Sequence, residues 1–187
     1  MRGTLASALF AFLSLGCAAV PAAQTDEACA AGVWFDPASG AVRRHDEVLA
    51  EAARRQVVLL GETHDNVEHH RWQLSTLAGL LALEPRLAVG FEAFPARVQP
   101  VLDRWVAGEL DQAAFLAEAQ WRQVWNLEPE LYLPLFHLAR LHRVPMVALN
   151  TDRELVARVG REGWAAVPSV ERQGVGDPAP AGAGYLD

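Results

Sequence analysis

The sequence predicts an α/β fold, an open and mainly parallel sheet with helices on both faces, preceded by a signal peptide. Two observations predict it. Short β-branched and Leu-rich runs recur at residues 57–62, 87–94 and 144–150. Between them lie stretches whose apolar residues follow a three-four spacing. Strands that alternate with helices need crossover connections, and crossovers make parallel sheets covered by helices.

Taken in order, "MRGTLASALFAFLSLGCAAVPAAQ" has an early charge at Arg2, an apolar run from Leu5 to Leu15, then small residues. That is the layout of a secretory signal peptide over residues 1–22, with an apolar run too short for a membrane span. A second reading makes Cys17, after "LSLG", a lipid-attachment cysteine. Residues 23–44 form a lead-in with "FDPASG" as a turn, and residues 45–187 form the α/β domain. His45 to Arg55 is a short amphipathic helix. "VVLLGE" (57–62) is a strand buried on both faces. Residues 66–84 are a helix, because Val67, His70, Leu74, Leu77 and Leu81 share one face.

"LAVGFEAF" (87–94) is the second strand, stopped by Pro95. Residues 96–107 and 111–125 are helices divided by Gly108, and 130–143 is another with Pro134 early in it. "VPMVALN" (144–150) is the third strand. Residues 152–162 are a helix closed by Gly163, and "WAAV" (164–167) is a short fourth strand. A Gly/Pro/Ala loop then leads to Tyr185-Leu186-Asp187, which reads as the start of a helix. So small a sheet leaves an edge bare, and the expectation is a domain incomplete at its C-terminus.

Of 187 residues, 51% are hydrophobic and 21% charged, enough for one domain with a core. Sixteen basic against 23 acidic residues give a net charge of −7, with no basic tract for a nucleic-acid backbone. With Cys17 in the leader, Cys29 alone cannot make an internal disulfide, and no Cys-x-x-Cys pair exists.

In open parallel sheets ligands bind beyond the carboxyl ends of the strands. Here those ends carry Glu62 and His64, Glu92, and Asn150, which should face one cavity. A carboxylate within "LAVGFEAF" is costly to bury unless paired, protonated or bound to a cation. A salt bridge to an arginine is the alternative for Glu62 and Glu92. Asp65 reads as the N-cap of the 66–84 helix, with Glu68 reaching back, and Thr151 with Glu154 as a capping box. His69 should be solvated, while His70 falls on the apolar stripe as either a core histidine or a site residue. Three residues separate His64 from Glu68 where the inverted zinc motif has two, which rotates the ligand set by ~100° on a helix. A metal held by strand-end residues, Glu62, His64 and Glu92, stays open.

Together "LLGETHDNVEHHRWQL", "GFEAFPARVQPVLDRWVAGELD", "WRQVWN", "LYLPLF" and "PMVALN" resemble the ChaN-like haem-binding uptake proteins, from about Trp34 onward. Their wider superfamily includes erythromycin esterases and Tiki/TraB proteases. The resemblance implies non-covalent haem binding in iron acquisition, by a periplasmic or outer-membrane lipoprotein that in some members holds haem between two subunits. Any membrane contact would run through the lipid alone. Cofactor contacts would fall to Glu62, His64, His70, Glu92, Asn150 and Tyr132. The iron ligand would be a tyrosine, Tyr132 or Tyr185, or a histidine. Tyr132 lies in a Leu-rich helix, where a core ring with a surface hydroxyl is expected. Arg140, Arg143 and Arg153 would meet propionates, and Trp72, Trp105, Trp121, Trp125 and Trp164 could line a haem face.

The superfamily also implies a hydrolase alternative. Its Gly-x-x-His element matches Gly61 and His64 and its strand-borne glutamate matches Glu92, so Glu62, His64 and Glu92 would activate water, with or without a divalent metal. The superfamily's C-terminal histidine motif has no counterpart, because no histidine follows His142. A domain with a vestigial site is the third reading.

Overall fold

The periodic stretches become helices where the spacing places them, but only two of the apolar runs become paired strands. The computed structural model describes residues 33–182 and Gly184. The expected signal peptide, Cys17, Cys29, Tyr185 and the final helix start lie outside the described residues. The chain divides into two units, Met1–Arg43 and Arg44–Asp187.

Within the first unit, the described part of the lead-in is a hairpin, not a loose segment. Strand β1 (Trp34–Asp36) pairs antiparallel with β2 (Ala41–Arg43), Trp34 opposite Arg43. Asp36 closes the turn. Its carboxylate accepts from the Ala38 amide at 3.0 Å and the Ser39 hydroxyl at 2.6 Å, and its carbonyl from the Gly40 amide. Gly40 sits at φ +71°, where a side chain would strain the backbone.

The second unit begins with α1 (His45–Ala52) and α2 (Val67–Leu83). Asn66, not Asp65, caps α2: its Oδ1 accepts from the Glu68 amide at 2.9 Å and the His69 amide at 3.4 Å. Asp65 sits one residue too early to reach those amides. After β3 (Val89–Pro95), a 3₁₀ turn at Ala96–Val98 leads into α3 (Gln99–Ala107), which ends at Gly108 with φ 82°. The expected 111–125 helix is two, α4 (Gln112–Glu118) and α5 (Trp121–Val124), because Gln120 turns left-handed at φ 54°.

A 3₁₀ turn at Pro129–Leu131 leads to α6 (Leu133–His142), where Pro134 sits in the first turn and displaces no hydrogen bond. Strand β4 (Met146–Asn150) and α7 (Arg153–Glu162) follow, α7 closing at Gly163. The Thr151–Glu154 capping box does not form. The N-cap of α7 is Asp152, whose carboxylate instead takes Arg97 at 2.7 Å and Gln173 at 3.0 Å. Residues 164–166 are a 3₁₀ turn, not a strand: Trp164 donates to Asp177 and lies under the Arg172 guanidinium, so its ring anchors a loop.

The sheet of this unit is the parallel pair β3–β4, with Val89 opposite Met146 and a register shift between Phe91 and Pro95. Residues 57–62 form no strand, contrary to the sequence-based expectation, and Val57 and Leu59 are exposed rather than buried. A strand needs a neighbour's row of amides and carbonyls. This stretch instead runs extended past α2, where Gln73 Nε2 donates to Leu60 O at 3.0 Å.

One side-chain row of the pair, Phe91, Ala93 and Met146, enters the core against the helices. Phe94, Trp105, Phe115 and Phe136 are fully buried there in edge and stacked contacts. The indole of Trp105 donates to Phe136 O at 2.9 Å, tying α3 to α6. The opposite row, Gly90, Glu92, Val147 and Leu149, stays exposed.

Candidate functional site

That open face forms one wall of a cleft of about 950 Å³, with residues 57–62 and the inner side of α2 as the others. Glu62, His64, Glu92, Trp125 and Tyr132 all line it. Asn150 does not. Its amide donates to Glu92 O at 2.9 Å and its Oδ1 accepts from the Thr151 amide at 2.8 Å, so it ties the end of β4 to β3.

Glu62 is the hub. Its Oε1 accepts from the Tyr132 hydroxyl at 2.6 Å and from His64 Nδ1 at 2.8 Å. This bond engages His64 Nδ1 and leaves Nε2 as the ring nitrogen without a hydrogen-bond partner among the described residues. His70 Nδ1 approaches Glu62 Oε2 to 3.2 Å but out of hydrogen-bond alignment. The other nitrogen of His70 donates to His64 O at 3.0 Å. Glu62 is therefore paired by histidines and a tyrosine, and among the described residues no arginine salt bridge holds it.

Exposure separates these groups. His70 is 3% exposed and packs edge-on against the Tyr132 ring at 4.4 Å, whereas the His64 side chain is 49% exposed. Tyr132 is also buried, so its hydroxyl sits on the cleft floor and not at the surface. Burial first, then the Glu62 carboxylate, pushes its phenol well above the usual tyrosine range. Glu92 is exposed in the cleft, and its carboxylate makes no hydrogen bond or ion pair with the described residues. The cost of burying it therefore does not arise.

The turn that presents His64 is pinned from α2. His69 Nδ1 accepts from the Thr63 amide at 2.8 Å, so this histidine is a structural clasp rather than a solvated group. Trp125 meets the His64 ring edge-on at 4.8 Å and 68° and holds its plane. Gln73, which fixes Leu60, escaped the sequence reading. Its position three residues after His70, on the inner side of α2, was the available signal.

Other expected contacts fall elsewhere. Arg140 donates to Leu110 O and Gly108 O and covers the Trp105 ring, and Arg143 donates to Val106 O and Ala107 O. Both neutralise the negative end of α3. Arg153 donates to Val124 O. Of the five tryptophans proposed for a haem face only Trp125 lines the cleft, Trp105 and Trp121 being core residues. Among the described residues no group of three or more His, Cys, Asp or Glu side chains is arranged to hold a metal ion. No helix among them is long and apolar enough to cross a membrane.

The fold has a solved counterpart. A structure described as cofacial heme binding to ChaN of Campylobacter jejuni superposes with a TM-score of 0.62 at 19% identity, covering 73% of this chain. The chain spans 54% of that protein's length. Comparison with curated proteins returns no match. The family model described as "Haem-binding uptake, Tiki superfamily, ChaN" matches residues 48–185, most of the sequence, and the chain belongs to that family.

Proposed function

We propose that this protein binds haem in the cleft beside the β3–β4 pair and serves haem or iron acquisition. The observation that carries the reading is the cleft itself. Its volume of about 950 Å³ lies at the upper end of small-molecule sites, and apolar walls converge there on a few polar groups. The residues fit a macrocycle with a metal at its centre. Leu60, Leu77, Val89, Val147 and Leu149 supply apolar surface, Trp125 an aromatic edge, and His64 an accessible imidazole. Bound haem would supply the iron. The chain would supply the walls, the exclusion of water and an oriented donor. Family membership supports the same reading.

Residues 1–22 would direct export, with Cys17 as the lipid site in the anchored form, placing the protein in the periplasm or on the outer membrane. Two copies would associate around haem. Adding hemin to purified protein should give a saturable, shifted Soret band and a hemin-dependent rise in mass by light scattering. A spectrum identical to free hemin would refute the haem reading.

One observation favours a hydrolase as second reading: Glu62 orients His64 as a carboxylate orients an imidazole general base. On that reading His64→Ala and Glu92→Gln abolish ester or peptide turnover while the circular dichroism stays native. Activity retained in both variants removes them as catalysts.

A further inference from the structure

We propose that residues 57–61 are a movable strap, seen here in an open position beside α2, which closes by adding to the free edge of β3 as a third, parallel strand. Closure brings two walls of the cleft together and shuts it. The gating role rests on the haem reading above, whereas the strand exchange stands on the backbone alone.

The two edges of the β3–β4 pair differ. In a parallel ladder, alternate residues turn both amide and carbonyl to one neighbour, and the residues between them turn theirs the other way. On β4 the outward groups are already taken. Gln99 Nε2 donates to Met146 O and the Ala148 amide donates to Gln99 Oε1, each at 2.8 Å. The Gln99 side chain thus stands where a strand would, and closes that edge. On β3 the Val89 amide donates to Pro145 O at 2.9 Å, so the amide and carbonyl of Gly90 point away from β4. No strand among the described residues pairs on that side.

The strap carries what this edge lacks. Among the described residues Val57, Val58 and Leu59 make no backbone hydrogen bond, and their side chains are 73%, 38% and 88% exposed. Strap and Gly90 line the same cleft. Their order in the chain is that of a βαβ unit, with the 17 residues of α2 as the crossover that makes parallel neighbours. Both ends of the strap are fixed. The Arg54 and Arg55 amides bond back to Glu51 O and Ala52 O, and Glu62 is held by Tyr132. Between them the one hydrogen bond among the described residues is the latch from Gln73 Nε2 to Leu60 O at 3.0 Å.

The test is amide hydrogen exchange at Gly90, followed by NMR in the full-length protein without ligand. The comparison is Leu59→Pro, which removes a strap amide and cannot join a ladder. Gly90 should exchange about tenfold or more slowly in the wild type than in this variant, at any protein concentration. Gln73→Ala, which releases the latch, should slow it further. Hemin should raise the wild-type rate to that of Leu59→Pro. Equal Gly90 rates in the wild type and Leu59→Pro overturn the strap and leave the haem reading standing. A rate that does not fall in Gln73→Ala overturns the latch. Protection that grows with protein concentration overturns the strap as well, because the strand on the edge then belongs to a second copy. Hemin that binds without changing the rate overturns the gate. If hemin does not bind, the haem reading fails, and the ligand-free rates still decide the strap.

Discussion

The Tyr132 hydroxyl meets Glu62 Oε1 at 2.6 Å across a sequence separation of 70 residues. This bond links the segment leading into α6 to the turn before α2 and fixes the carboxylate on which His64 is oriented. The site therefore depends on a residue far from the histidine-rich stretch.

Tyr132→Phe removes a hydrogen bond to a charged acceptor and should cost about 1–3 kcal/mol in urea unfolding at neutral pH. It should also change the alkaline limb. The folded state holds the Tyr132 proton above the ordinary tyrosine pKa, so above pH ~10 the unfolded chain releases it first and stability falls as pH rises. The contribution is fully present below that pH. The phenylalanine variant should lose stability less steeply in this range, and parallel curves for the two proteins would contradict the assignment.

Capping of α2 separates neighbours. Asn66→Ala should destabilise by about 1 kcal/mol, since two amides lose their acceptor. Asp65→Ala should stay within about 0.5 kcal/mol of wild type. Chemical denaturation of the pair decides it: an equal loss in both variants would mean that Asp65 shares the cap.

Trp105 is fully buried, stacks on Phe115 at 4.5 Å and donates to Phe136 O. Trp105→Ala should cost about 3–5 kcal/mol. A midpoint shift worth less than about 1 kcal/mol would show that α3 and α6 are not joined through this ring.

Much of this was legible from local spacing. The Pro95 stop of β3, the Gly108 and Gly163 helix ends, and the placing of Glu62, His64 and Glu92 on one cleft follow from residue type and period, whereas the expected stripe of α2 is met only in part: Val67 is exposed, and the buried face runs through His70, Gln73, Thr76, Leu77 and Leu80. What stayed hidden depends on partners. Whether "VVLLGE" pairs as a strand is decided by a neighbouring edge, not by its own composition, and here its contact is Gln73. Asp65 and Asn66 are both good caps, and only backbone geometry selects one. Arg140 and Arg143 carry the charge expected at a propionate, yet their guanidinium groups go to helix carbonyls, a choice no spacing encodes. The hydroxyl of Tyr132 turns inward because Glu62 lies there, which only the tertiary fold reveals.

The most direct measurement is a crystal structure of the full-length protein with hemin, with iron located by its anomalous scattering. Haem bound in the cleft beside the β3–β4 pair should place an iron peak there, lined by Glu62, His64 and Glu92. An iron peak outside that cleft would contradict this reading.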